Sequence, residues 1–310
     1  MTTSRATICE VGPRDGLQMA QGRMPTDVKL RWIRQLAGAG LKEIEVGSFV
    51  SPRMIPQMAD TGDVVRGALA IDGLTVCALA CNLKGAIAAH EAGAHVLAIP
   101  ISCSDTHSHA NVNKGTDAQV EMVRGIVDWV RAQPRPMRID AAAATAFGCS
   151  MEGDVPIARV AQVAAALAGT GVDRIALADT VGYAHPAQVR DTVRAVQDAI
   201  GTRLTKLHLH DTMGLGLANA LAGFQEGIRE FDACLAGLGG CPFAPGASGN
   251  IVTEDLVFML ESMGARTGID LPRLLAARAL LRESLPDEPM RSGVAAAGIP
   301  RTYHPDAVPA

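Results

Sequence analysis

Along the chain, short apolar runs rich in β-formers alternate with longer stretches whose apolar positions recur every three or four residues. The runs 7–11, 43–47, 75–79, 95–100, 138–142, 174–178, 206–210 and 231–235 read as eight strands. Between them, Val28, Leu30, Ile33 and Leu36 lead into Gly38-Ala39-Gly40, and Val160, Val163, Ala164 and Leu167 lead into Gly169. Both are amphipathic helices with glycine stops. The segments 38–41, 93–94 and 169–172 each use glycine to end a helix and feed the next strand.

Eight βα units in about 240 residues predict a (β/α)8 TIM barrel, whose usual size is roughly 250 residues. An open Rossmann-like sheet is the competing arrangement. It fits less well, because the first strand is followed by Gly12-Pro13-Arg14-Asp15-Gly16, which lacks G-x-G-x-x-G spacing and puts a carboxylate where a pyrophosphate would sit. Two further helical stretches, 253–263 and 271–282, should flank the barrel. Residues 1–285 are therefore expected to form a single catalytic domain with extra C-terminal helices, and 286–310 a loosely ordered tail.

Composition narrows the function. Of 310 residues, 48% are hydrophobic and 19% charged, as in an ordinary globular protein. The 28 basic and 32 acidic residues give a net charge of −4 without long runs of either sign, and aromatics make up only 3%. Neither a nucleic acid nor an anionic membrane is expected as a partner. Seven scattered cysteines without a Cys-x-x-Cys pair suggest reduced thiols. The N-terminus lacks a secretory pattern and no apolar run is long enough to span a bilayer, so the expected location is cytoplasmic.

In a barrel the chemistry gathers at the strand exits. Arg14 and Asp15 follow strand one, Glu45 interrupts the apolar strand two, Asp179 ends strand six, and His208 and His210 end strand seven. Residues i and i+2 of a strand share a face, so the two imidazoles stand side by side, and Asp15 reaches the same rim. Oxygen and imidazole donors without thiolate favour Mg²⁺, Mn²⁺ or another borderline divalent ion. Arg14 is placed to stabilise developing negative charge. Glu45 either pairs with Arg14 or joins the chemistry, and Asp179 either joins it or caps the following helix. The glycine-dense segment 237–250 reads as a flap carrying Cys241, or as a phosphate loop; the other six cysteines read as small core residues.

The segments Val11-Gly12-Pro13-Arg14-Asp15-Gly16-Leu17-Gln18, Ser48-Phe49-Val50-Ser51-Pro52, Asn82-Leu83-Lys84-Gly85, His208-Leu209-His210-Asp211-Thr212 and Gly237 through Asn250 resemble 3-hydroxy-3-methylglutaryl-CoA lyases. The resemblance spans nearly the whole chain. It implies a metal-dependent barrel that cleaves a 3-hydroxy-3-methylglutaryl thioester, with an acyl-CoA as partner and, by analogy, a homodimer. Asp15, His208, His210 and Asn250 are then the implied metal ligands, and Arg14, Glu45, Asp179, His208 and Cys241 the catalytic groups. Arg14, Gln18, Ser48, Asn82, Lys84 and Asn111 are the expected substrate contacts. The segments 102–108 and 141–150 depart from the family pattern at strand exits where an acyl group would be recognised. A related substrate such as a citramalyl thioester, a condensing synthase of the same superfamily, and an idle CoA-binding barrel are the alternatives.

Overall fold

A computed structural model describes residues 5–240 and 249–305. Its strands are β1 (Thr7–Glu10), β2 (Glu43–Ser48), β3 (Thr75–Leu79), β4 (Val96–Ser102), β5 (Arg138–Ala144), β6 (Arg174–Asp179), β7 (Leu204–Leu209) and β8 (Glu230–Ala233). They close in sequence order into one barrel, as the pattern predicts. Closure excludes the open sheet, because β1 pairs in parallel with β8 from Thr7↔Glu230 to Glu10↔Ala233. Several strand limits differ from the pattern by one or two residues. β4 and β5 run on to Ser102 and Ala144, since small residues there pair without interrupting the ladder. β7 stops before His210, which bridges to Asn250 instead of to a neighbouring strand.

The main apolar core is the ring between strands and helices. Outward-facing Leu97, Ile99, Ile139, Ile175, Leu177, Leu207 and Phe231 are all fully buried there, each worth roughly 1.5–3 kcal/mol on leaving water. The helix Thr26–Gly38 shows how one element docks. Trp32, Ile33 and Leu36 lie on its buried face, and Lys29 shares that face only because its ammonium reaches Asp60 at 2.6 Å and the Gln57 carbonyl at 2.7 Å. Glycine ends the helix Leu83–Ala92 at Gly93, whose φ of 98° is the left-handed conformation a C-cap needs.

Inside the barrel, charged residues take positions that branched aliphatics usually fill. Arg138 joins Glu43 and Asp140, both at 2.8 Å, Lys206 lies between Glu43 at 3.2 Å and Asp232 at 3.1 Å, and Arg174 meets Glu230 at 2.9 Å. The two expected flanking helices are Thr253–Ser262 and Leu271–Ser284.

The segment from 286 differs from the loose tail expected of its Pro and Gly content. As far as 305 it is tied down, because Asp255 accepts hydrogen bonds from the Ser292 hydroxyl and the Gly293 and Val294 amides. Arg291 donates from its backbone to the Ala236 carbonyl and from its guanidinium to the Gly237 carbonyl. Among the described residues, no helix is long and apolar enough to cross a membrane.

Candidate active site

After β1 the chain turns tightly through Gly12–Gly16, which lifts Arg14 and Asp15 onto the C-terminal rim of the barrel. Only glycine fits at position 12, where a Cβ would come within 2.5 Å of Glu10 Oε1 and 3.0 Å of the Trp32 ring. Glu10 itself is fully buried. Its Oε1 accepts the Gly12 and Leu235 amides at 3.0 and 2.8 Å, and its Oε2 meets the Thr253 hydroxyl at 2.6 Å. One carboxyl therefore joins the turn after β1 to the segment after β8, and burial pushes it up to about 8.

Asp15, His208 and His210 converge. Asp15 Oδ2 lies 3.6 Å from His208 Nε2 and 3.7 Å from His210 Nε2, and the two nitrogens are 3.2 Å apart. Ligand atoms about 2.1 Å from a common centre are separated by about 3.0–3.4 Å along a coordination edge, so the two nitrogens already have that spacing and Asp15 Oδ2 is a few tenths of an ångström from it, a group that could hold one divalent ion. Asn250 is beside them: its Nδ2 donates to Asp15 Oδ2 at 2.6 Å, and its buried Oδ1 has no hydrogen-bond partner among the described residues. His208 Nδ1 meets Asp232 Oδ2 at 3.1 Å, which fixes the tautomer that leaves Nε2 free to ligate. Burial works to raise the Asp15 carboxyl, but Arg14 and the two imidazoles outweigh it and hold the group well below the usual carboxylate range.

Arg14 is clamped from both sides, its Nε donating to Glu45 Oε2 at 2.8 Å and its Nη1 to Asp15 Oδ1 at 2.6 Å. The pairing anticipated for Glu45 is therefore present. Glu45 Oε1, however, is buried without a hydrogen-bond partner among the described residues, and burial raises this carboxyl. Arg14, Asp15, Glu45, His208 and His210 all line a cavity of about 950 Å³ at the barrel mouth, together with the expected contacts Gln18, Asn82 and Asn111.

Residues 5–281 match the HMGL-like family model. The chain belongs to the HMGL-like family. It is 41% identical over 281 residues, 91% of this chain and 93% of the other, to hydroxymethylglutaryl-CoA lyase YngG of Bacillus subtilis. It is 40% identical over 271 residues, 87% and 90% of the two chains, to the mitochondrial hydroxymethylglutaryl-CoA lyase of Gallus gallus. A solved HMG-CoA lyase from Acinetobacter baumannii, in complex with coenzyme A and 3-methylmalate, superposes with a TM-score of 0.91 at 40% identity and covers 100% of this chain and 99% of that one.

Not every expected residue of this HMGL-like chain reaches the site. Asp179 spends its carboxylate on its own loop, accepting the Gly182, Tyr183 and Ala184 amides at 3.0–3.1 Å. Neither does it cap the next helix, whose N-cap is His185. Lys84 stands exposed on the first turn of its helix, and Ser48 is buried; neither is among the residues that line the cavity. Asn82 lines the cavity but also caps that helix through Gly85 N, at 2.9 Å. Cys241 lies outside the described residues. The remaining six cysteines are free thiols and all but Cys81 are buried.

Sequence reasoning missed Asp232 and Lys206. The signal was present as period-two charge on two strands, Lys206-x-His208-x-His210 and Glu230-x-Asp232, and the register sets His208 beside Asp232.

Proposed function

We propose that this chain is a divalent-metal-dependent carbon–carbon lyase that cleaves a 3-hydroxy-3-methylglutaryl thioester of coenzyme A into acetyl-CoA and acetoacetate. The observation that carries the proposal is the convergence of Asp15, His208 and His210 at one end of the cavity that also holds the clamped Arg14. The names of its relatives supply the substrate. A related branched 3-hydroxyacyl thioester is the second reading, favoured by the 3-methylmalate found with coenzyme A in the Acinetobacter neighbour.

Asp15, His208, His210 and the Asn250 carbonyl would hold Mg²⁺ or Mn²⁺, which supplies Lewis acidity that lowers the pKa of a substrate hydroxyl. Both nitrogens of His208 are committed, Nδ1 to Asp232 and Nε2 to the ligand cluster, which supports a ligand role over a base. Glu45, with one free carboxylate oxygen and a pKa raised by burial, is the group that can take the hydroxyl proton near neutral pH. Cleavage of the C2–C3 bond leaves its electron pair on the thioester enolate. The Arg14 guanidinium, fixed by two carboxylates, stabilises that charge without reorganising. Cys241, by its place in the Gly-Gly-Cys motif, is the proposed acid that returns a proton to the enolate carbon.

The experiment is incubation of the purified chain and Mn²⁺ with hydroxymethylglutaryl-CoA and citramalyl-CoA, with mass detection of products. Acetyl-CoA and acetoacetate from the first thioester support the reading. Intact thioesters after prolonged incubation would overturn it.

A further inference from the structure

The interior of a TIM barrel is normally a packed core built from layers of large branched side chains. This barrel departs from that rule on one side. Among its inward-facing positions, Ala98 and Pro100 on β4, Ala142 and Ala144 on β5, and Ala176 and Ala178 on β6 all line the cavity that contains Asp15, His208 and His210, with Ser102 above Pro100 and the ion-paired Asp140 below Ala142. Their outward neighbours Leu97, Ile99, Ile175 and Leu177 are completely buried, whereas Ala98, Pro100 and Ala142 keep part of their surface accessible from within. The cavity therefore continues below the rim along β4, β5 and β6. Register gives its depth. Ala178 pairs with His208, Ala176 pairs with Lys206, and Ala142 pairs with Ala176, so the alanine wall begins level with one candidate ion ligand and runs one inward position further down.

On the opposite wall Lys206 is already paired with Glu43 and Asp232. An apolar group lying along the alanines would cover the accessible wall without breaking an ion pair. Resting on the lyase reading above, we infer that the shaft accepts an apolar branch at C3 of the substrate, and that the substrate class extends to 3-hydroxyacyl-CoA thioesters whose branch is longer than methyl. The residues that set the branch length are Ala98, Ala142 and Ala176.

The test uses a synthetic series of 3-alkyl-3-hydroxyglutaryl-CoA thioesters with methyl, ethyl, propyl and butyl branches, assayed with the full chain and Mn²⁺. Burial of each added methylene gives an expected rise in kcat/KM of up to about fourfold, and Ala142→Leu adds the same three carbons by which butyl exceeds methyl. This variant should lower kcat/KM for the butyl thioester at least thirtyfold more than for the methyl one. Ala98→Val and Ala176→Val, each adding two carbons, should each shorten the preferred branch by about two carbons. Thermal unfolding of each variant separates shaft filling from misfolding, since a side chain entering open space leaves the midpoint near that of the parent chain. Cleavage of the methyl thioester with more than a hundredfold rejection of butyl would overturn the inference and leave the lyase reading standing. So would equal losses on both substrates in a folded Ala142→Leu chain. Cleavage of none of the series would overturn the lyase reading itself.

Discussion

Replacing Glu10 tests the link between the barrel's scaffold and its site. Glu10→Ala removes the acceptor for the Gly12 and Leu235 amides and the partner of the Thr253 hydroxyl, all at 3.0 Å or less. A buried polar group left unpaired costs about 1–3 kcal/mol, so three of them should cost at least about 3 kcal/mol of stability. Glu10→Gln keeps an oxygen for the two amides and offers N–H to Thr253, and should cost about 1 kcal/mol. Linkage adds a pH signature. Burial raises the Glu10 carboxyl from an ordinary 4.5 to about 8, so the folded chain favours its neutral form. The associated stability is complete below pH 4.5 and is lost as pH climbs toward 8, at about 1.4 kcal/mol per unit. Urea unfolding followed by circular dichroism at pH 5, 6.5 and 8 measures both effects. The parent chain should lose about 4 kcal/mol more than Glu10→Gln across that range. An alanine variant within 1 kcal/mol of the parent, or a glutamine variant with the parent's pH slope, would refute the reasoning.

Three further outcomes are expected. Asp232→Asn should weaken Mn²⁺ binding about 10–100-fold, because His208 loses the carboxylate that fixes its tautomer; an unchanged Kd by calorimetry contradicts that role. Arg14→Lys keeps a positive charge between Asp15 and Glu45 but loses the guanidinium fork, and kcat should fall about 10²–10³-fold, whereas a loss confined to KM would place Arg14 in binding alone. Asp179→Ala strands three backbone amides and should lower stability by at least about 3 kcal/mol, with denaturant midpoints as the readout and an unaltered midpoint as the contrary result.

The barrel was legible in the sequence because its signal is redundant: eight strand-like runs and glycine-stopped helices each carry it independently. The rim residues Arg14, Asp15, His208 and His210 were legible for a related reason, since strand exits and i, i+2 spacing place side chains without knowledge of packing. What depended on three-dimensional partners was not. Asp179 looks like any carboxylate at a strand exit until the amides of residues 182–184 close around it. In the sequence Glu10 is one more position of the strand-like run 7–11, and its role across 225 positions to Leu235 follows from barrel closure alone. Likewise the Pro- and Gly-bearing segment after 286 carries no periodicity, yet Asp255 organises it through local hydrogen bonds.

The most direct measurement is the rate of acetyl-CoA release from hydroxymethylglutaryl-CoA by the chelator-stripped chain as Mn²⁺ is added back, run beside Asp15→Asn. Activity should be absent without the ion, return saturably in the parent chain, and stay at least a hundredfold lower in the variant. Full turnover by the stripped protein, or equal recovery by Asp15→Asn, would contradict the assignment of Asp15, His208 and His210 as the metal centre.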